Sequence, residues 1–460
     1  MKTLTYISFL ITMSFWACNK EKFLDEKPDA SLAVPSSITH LQAILDHDAS
    51  MNGALGYSPL FPGILELGTD NVWYLDKDYN NTIREDIKNV YTWHADPYPG
   101  MQLPDYNRPY AVTFRCNFIL ETLEKIERTV QNRIEYDQVK GSALFYRAFV
   151  YNALAMTFAP IFDPKSTNEA NGLPLRLSSD VNEKVRMGSV QEVYSLMESD
   201  LTKAISLLPE EPLYKTRPSK RSAYALLSRV CLSKSDYKNA KLYADSALFI
   251  NKELLDYSNY STTTNYPFPR FNAEVIFNAT MQQPGSSRVR IDSNLYNSYH
   301  IDDMRRYLFF KKSNRENTYR FYGNYDAQTY FFAGLANDEL YLNRAEAAVR
   351  LDDSDAALKD LNDLLQTRWK KINGKSSYIP YHITEKNELL ARILEERRKQ
   401  LVWRGLRWQD LKRLNLNPQF AKVLKRTVNG KEIELLPNSD VYVYPIPSTV
   451  TDINPQLKNK

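Results

Sequence analysis

The chain has 460 residues, 59 of them basic and 55 acidic, for a formal net charge of +4. That balance argues against a nucleic-acid role, which needs a clustered basic face. The length exceeds the ~250–300 residues at which a single core stops growing, so one large composite domain or two lobes is expected.

With only 14 glycines the composition predicts a mainly helical chain. The 31 tyrosines and 20 phenylalanines then need a role beyond core filling, because tyrosine is favoured where a surface is both flat and wet. At the N-terminus, Lys2 precedes an apolar stretch over residues 4–16, followed by Ala17-Cys18. A stretch that short falls below the ~20 residues a bilayer requires and predicts a signal peptide over 1–17. Ala17 before Cys18 resembles a lipoprotein processing site, with Cys18 acylated as the mature first residue. An ordinary secretory signal with an incidental cysteine is the alternative. Residues 18–35, polar over most of their length, read as a tether between lipid and fold. Cys116 and Cys231 lie in helical segments and are expected to be buried free thiols.

A short helix is expected over 37–45, with Ser36 or Ser37 as its N-cap. Residues 51–110 carry Gly, Pro, Asn and aromatics without period. Helical spacing returns over 114–126 and strengthens over 138–158, where Ala143, Phe145, Ala148, Tyr151, Ala155 and Phe158 recur at three- and four-residue steps. Another helix is expected over 190–208, closed by Pro209 and Pro212. Residues 219–250 form a tetratricopeptide-like hairpin, with Tyr224, Leu227 and Ser228 on one helix and Ala240, Ala244 and Ala247 on the other. A second hairpin spans 337–351 and 354–369 across the Asp352-Asp353 turn. Between them, residues 251–335 lack helical period yet are rich in aromatics, which is uncommon in a compact fold unless the segment is functional. Asn429-Gly430 marks a β-hairpin turn between strands over 423–428 and 432–436.

The fold class is therefore mainly α: a tetratricopeptide-like helical-hairpin scaffold with a large irregular lobe of loops and short strands. We divide it into a single domain over 36–460. Its hairpins occupy about 114–250 and 337–414, and the irregular ligand-binding lobe occupies about 51–110 and 251–335.

Motifs for chemistry are scarce. The five histidines, His40, His47, His94, His300 and His382, show no H-x-x-x-H pair or cysteine partner. No G-x-S-x-G, P-loop or G-x-G-x-x-G occurs. Neither metal, cofactor nor catalytic residue is expected. Two aromatic clusters remain, and a sugar platform needs aromatic faces flanked by Asn, Asp or Arg. The first holds Asp70, Asn71, Trp73 and Tyr74, with Tyr98 beyond; the second holds Tyr266, Phe268, Arg270 and Tyr296. Trp93 and Tyr110 read as core. For each of these aromatics the competing account is plain packing of irregular loops.

The C-terminal third carries Glu396-Arg397-Arg398, Leu401, Gly405, Arg407-Trp408, Asp410-Leu411 and Arg413, that is E-R-R-x-x-L-x-x-x-G-x-R-W-x-D-L-x-R. Its spacing suits ion pairs along and between helices, a scaffold role. The motif resembles the C-terminal helix region of the SusD/RagB family. The resemblance continues in Phe23-Leu24-Asp25 with Pro28, in residues 141–151 (GSALFYRAFVY) and in residues 218–247. It continues further in residues 343–347 (NRAEA), Leu361-Asn362, Pro445-Ile446-Pro447 and the tail at Asn454-Pro455 and Leu457. Order and number cover nearly the whole mature chain, although Gln400 and Arg404 stand where the family commonly has acidic residues. The resemblance implies a nutrient-binding lipoprotein of the outer membrane, facing the cell exterior and working with a SusC-like TonB-dependent transporter. Its ligand would be an oligosaccharide or a peptide. Rival readings are a surface glycan hydrolase, which product formation reveals, and a tetratricopeptide protein-binding scaffold, against which the aromatic 251–335 segment counts.

Overall fold

The computed structural model describes residues 35–53, 60–281, 288–313 and 317–459. The signal peptide, the Cys18 acylation site and all of the tether except Pro35 lie outside the described residues.

Helix α1 (Ile38–Leu45) begins where the Ser37 hydroxyl accepts the His40 N–H at 3.2 Å. Helix α2 (Pro104–Leu123) starts at Pro104 rather than at 114. Pro104 sits in the first turn, where an N–H has no helical partner anyway. Pro109 then forfeits one interior hydrogen bond, and the Thr113 hydroxyl donates to its carbonyl at 3.1 Å. The proline pair masked the helical period in the sequence.

Helix α3 (Arg133–Phe158) is buried on every face over its second half, from Ala148 to Phe158, as an apolar helix must be at the centre of a core. Helix α4 (Val190–Leu207) opens with a capping box between Ser189 and Glu192. Gly141 lets α3 approach its far end: a Cβ there would lie 2.9 Å from Leu208 Cγ. The α5 (Lys220–Ser233) and α6 (Tyr237–Ile250) hairpin closes on Ala240, Ala244 and Ala247, all without exposure. The Ser228 hydroxyl donates across it to the Ala240 carbonyl at 2.9 Å. Helices α7 (Asn337–Arg350) and α8 (Ser354–Gln366) form the next hairpin, with Asp353 as the N-cap of α8. Each of these helices packs on its successor from α2 to α8, which is the expected stack of hairpins.

Helices α9 (Lys386–Gln400) and α10 (Arg407–Leu414) carry the E-R-R motif and join the scaffold to the rest. The pairing runs mostly across the fold rather than along one helix. Glu396 accepts from Arg305 at 2.6 Å and Lys399 at 2.7 Å; Arg397 donates to Asp410 at 2.9 Å; Arg413 holds Glu346 at 2.6 and 2.7 Å; Arg404 reaches Asp338 at 3.2 Å. All of these side chains are buried. Gly405, at φ +74°, turns the chain between the two helices, and its N–H donates to the Glu66 carboxylate at 2.8 Å.

Among the described residues of 251–335, the irregular lobe contains two- and three-residue strands and single-turn helices. Strand β1 (Val72–Trp73) pairs antiparallel with β2 (Arg290–Ile291), stitching its two sequence segments together. Strands β3 (Leu424–Val428) and β4 (Lys431–Leu435) form the expected hairpin, with Asn429 and Gly430 both at positive φ. Cys116 and Cys231 are free and buried. Among the described residues no helix is long and apolar enough to cross a membrane. Among them, too, no group of three or more His, Cys, Asp or Glu is placed to hold a metal ion.

Candidate ligand-binding cleft

A cleft of about 620 Å³ opens where β1, the Asp292 turn after β2 and the β3–β4 hairpin meet, within the ~300–1,000 Å³ usual for small-ligand sites. Trp73 lies half-buried on its wall. The indole N–H donates to the Ile291 carbonyl at 2.9 Å, which fixes the ring against the neighbouring strand. Tyr74 and Tyr91 meet edge to face at 5.0 Å, and the Tyr91 hydroxyl accepts the Tyr74 backbone N–H at 3.3 Å.

The hairpin contributes a buried cation. Arg426 occupies an inward position of β3 between Leu424 and Val428. Its guanidinium lies 3.8 Å from the Tyr91 ring centroid and 4.5 Å from that of Trp93. It donates to the carbonyls of Leu67 at 2.7 Å, Thr69 at 2.6 Å, and Tyr91. Burial pushes its pKa down.

Asp70 anchors the opposite side. Arg407 grips it bidentately at 2.8 and 2.9 Å, Lys422 reaches it at 2.7 Å, and Arg398 stands 3.4 Å away. Burial opposes its ionisation, but the three cations outweigh burial and hold the carboxyl well below the usual carboxylate range. Arg398 also donates to the Asn71 side-chain oxygen at 3.0 Å and lies 3.7 Å from Asp292. The Asn71 side chain is thereby turned inward and fully buried.

Of the residues singled out in the sequence, the structure brings Asp70, Trp73 and Tyr74 into this one cleft, with Asn71 supporting it from behind. The remaining five lie elsewhere. Tyr98 is buried, its hydroxyl donating to the Pro445 carbonyl at 2.5 Å. Phe268 is fully buried among Tyr257, Tyr260, Phe309 and Tyr325, so it presents no face to a ligand. Arg270 is committed to Asp326 at 3.0 Å and lies over Phe271. Tyr296 stacks on Tyr319 at 3.6 Å under the Arg306 guanidinium, which covers its ring. Tyr266 is partly exposed at φ +53° and meets Tyr322 at 5.4 Å, a separate small aromatic surface. Trp93, read as core, is buried, yet its ring edges the cleft; Tyr110 is partly buried and packs on the core.

Reasoning from sequence missed Asp292, Arg398, Lys422 and Arg426. A second hollow of about 660 Å³ lies between α1 and the start of α3. It has no aromatic lining and offers a sugar ring no flat face.

Glu66 lies behind the cleft, fully buried, and burial pushes its carboxyl up to about 7 despite the Gly405 N–H. Between about pH 4.5 and 7 the folded chain therefore holds a proton that the unfolded chain has released. The stability this proton supplies is full below about 4.5 and is lost as pH rises through 7, about 3 kcal/mol in all. Glu66→Gln keeps the acceptor for Gly405 and removes the titration. Urea unfolding is expected to show the variant more stable than the parent at pH 8 by about 1–3 kcal/mol and no more stable at pH 4.5. Equal gains at both pH values would exclude Glu66 as the titrating group.

The fold and cleft together define a helical-hairpin scaffold carrying an aromatic, charge-rimmed binding site. Two family models match the chain. One, described as starch-binding and associating with the outer membrane, covers residues 22–232, and one for the SusD family covers residues 335–460. The chain belongs to the SusD/RagB family. It is 24% identical to SusD-like protein P2 of Formosa agariphila, over 96% of each chain. Its structure is similar to that of a SusD superfamily protein from Bacteroides thetaiotaomicron (TM-score 0.74, 20% identity, 92% of this chain and 100% of that one). It is also similar to a SusD-like carbohydrate binding protein from Bacteroides vulgatus (TM-score 0.67, 20% identity, 92% and 98%). Members of the family are cell-surface, outer-membrane-associated carbohydrate-binding proteins rather than enzymes.

Proposed function

We propose that this chain captures oligosaccharides at the cell surface and delivers them to a SusC-like TonB-dependent transporter, held to the outer membrane by acyl chains on Cys18. The observation that carries this reading is the cleft itself. Trp73 offers one flat apolar face, locked by its indole hydrogen bond, beside the polar groups of Asp70, Asp292 and Asn294. A sugar ring needs that combination, an aromatic face under its C–H surface and fixed donors and acceptors around its hydroxyls. Capture of this kind needs no bond-breaking chemistry, and closure over a barrel would pass the ligand inward. With several acyl chains, each buried CH₂ contributing ~0.8 kcal/mol, the anchor would be stable.

Purification of the full-length protein from detergent-solubilised outer membranes tests delivery and anchoring together. A TonB-dependent barrel is expected to copurify, and mass spectrometry is expected to find the mature chain beginning at acylated Cys18. A chain that purifies without a barrel, or that begins elsewhere and lacks lipid, would contradict the reading. A copurifying peptide in place of sugar would move the ligand assignment to peptides.

A further inference from the structure

The cleft carries more cation than its carboxylates neutralise. Arg398, Arg407, Lys422 and Arg426 converge on it or lie immediately behind Asp70, against Asp70, Asp76 and Asp292. Lys425 adds nothing to this balance, because it is held by Glu432 and Glu434 on the outer face of the hairpin. Arg426 has no carboxylate within 4 Å among the described residues; backbone carbonyls alone receive its N–H groups. A buried guanidinium with only dipolar partners keeps a positive field in the space it lines.

Resting on the cleft being the capture site, we infer that its ligand is an acidic oligosaccharide, one whose rings bear carboxylate or sulfate groups. Lys422 is the group that meets the acid. Its side chain is 47% exposed, the most accessible of the four cations. Turning from Asp70 to a ligand anion leaves that carboxylate still clamped by Arg407 and neighboured by Arg398, so no buried charge is stranded. Trp73 meanwhile takes a ring face whatever substituent the ring carries. The neutral and charged parts of recognition thus reside on different residues and separate experimentally.

The test is calorimetric titration of detergent-solubilised full-length protein with three matched pairs. These are polygalacturonate and its carboxyl-reduced form, alginate and its carboxyl-reduced form, and carrageenan and its desulfated form. The charged member of at least one pair is expected to bind about tenfold more tightly than its neutral partner, the effect of one charge-assisted hydrogen bond. The preference should shrink as salt is raised. Which pair shows it tells carboxylate from sulfate. Lys422→Gln is expected to remove most of the preference. Lys238→Gln, an exposed lysine on α6, should leave it unchanged. Equal affinity within every pair that binds, or a preference that survives Lys422→Gln, would overturn the inference and leave sugar capture standing. No binding by any of the six would overturn the capture reading and this inference with it.

Discussion

Replacing Arg305 by methionine is expected to lower the unfolding free energy by about 3–5 kcal/mol, the usual result of stranding buried carboxylates. Arg305 has no exposed surface and comes from a single-turn helix in the irregular lobe. It donates to Asp303 at 2.9 and 2.7 Å and to Glu396 of α9 at 2.6 Å. The neighbouring carboxylates drive its pKa well above the ordinary arginine value although burial alone would lower it. Without the guanidinium, Asp303 would keep, among the described residues, only the residue-305 backbone N–H as a donor and Glu396 only Lys399. The pair also joins the lobe to the scaffold, so its loss loosens both. Denaturant unfolding at pH 7 measures the effect. Arg186→Met serves as the contrast, because the Arg186–Glu192 pair is largely exposed and such pairs contribute at most ~1 kcal/mol. Equal, small losses in the two variants would show that the buried network is not what binds lobe to scaffold.

Trp73→Ala is expected to weaken oligosaccharide binding by about 2–3 kcal/mol, roughly 30- to 150-fold in Kd, as a central aromatic anchor does. Trp73 is the cleft's partly exposed aromatic ring; Tyr74, Tyr91 and Trp93 are buried around it. Removing the indole also frees the Ile291 carbonyl, but the β1–β2 backbone pairing remains, so unfolding free energy should fall by only about 1 kcal/mol. Trp73→Phe keeps a flat face without the N–H and should recover part of the affinity. Calorimetry and denaturant unfolding on the same preparations separate the two effects. Unchanged affinity in Trp73→Ala would remove this cleft from consideration.

The helical scaffold was legible because its signals are local. Capping residues, alanines at helical spacing and the Asn429-Gly430 turn each act within a few residues. The first cluster, Asp70 to Tyr74, was legible as chemistry, since an acid, an amide and two aromatics adjoin in an irregular stretch. What closes the cleft was not legible, because Ile291, Arg398, Lys422 and Arg426 reach it by pairings that span hundreds of residues. One trace of it did exist. Leu424, Arg426 and Val428 alternate inward along β3, and an arginine on the apolar face of a strand signals either a buried partner or a site. The second cluster misled for the opposite reason. Most of its aromatics join the main hydrophobic core, in which Tyr257, Phe268, Tyr299 and Tyr325 are buried, while Tyr266, Tyr322 and a few others reach solvent.

A crystal structure of the full-length protein with the tightest oligosaccharide from the matched pairs would locate the bound sugar. A ring is expected to stack on Trp73, with Asp70, Asp292 and Lys422 around its hydroxyl and acidic groups. A ligand resting on the Tyr266–Tyr322 surface, with the Trp73 cleft empty, would contradict that placement.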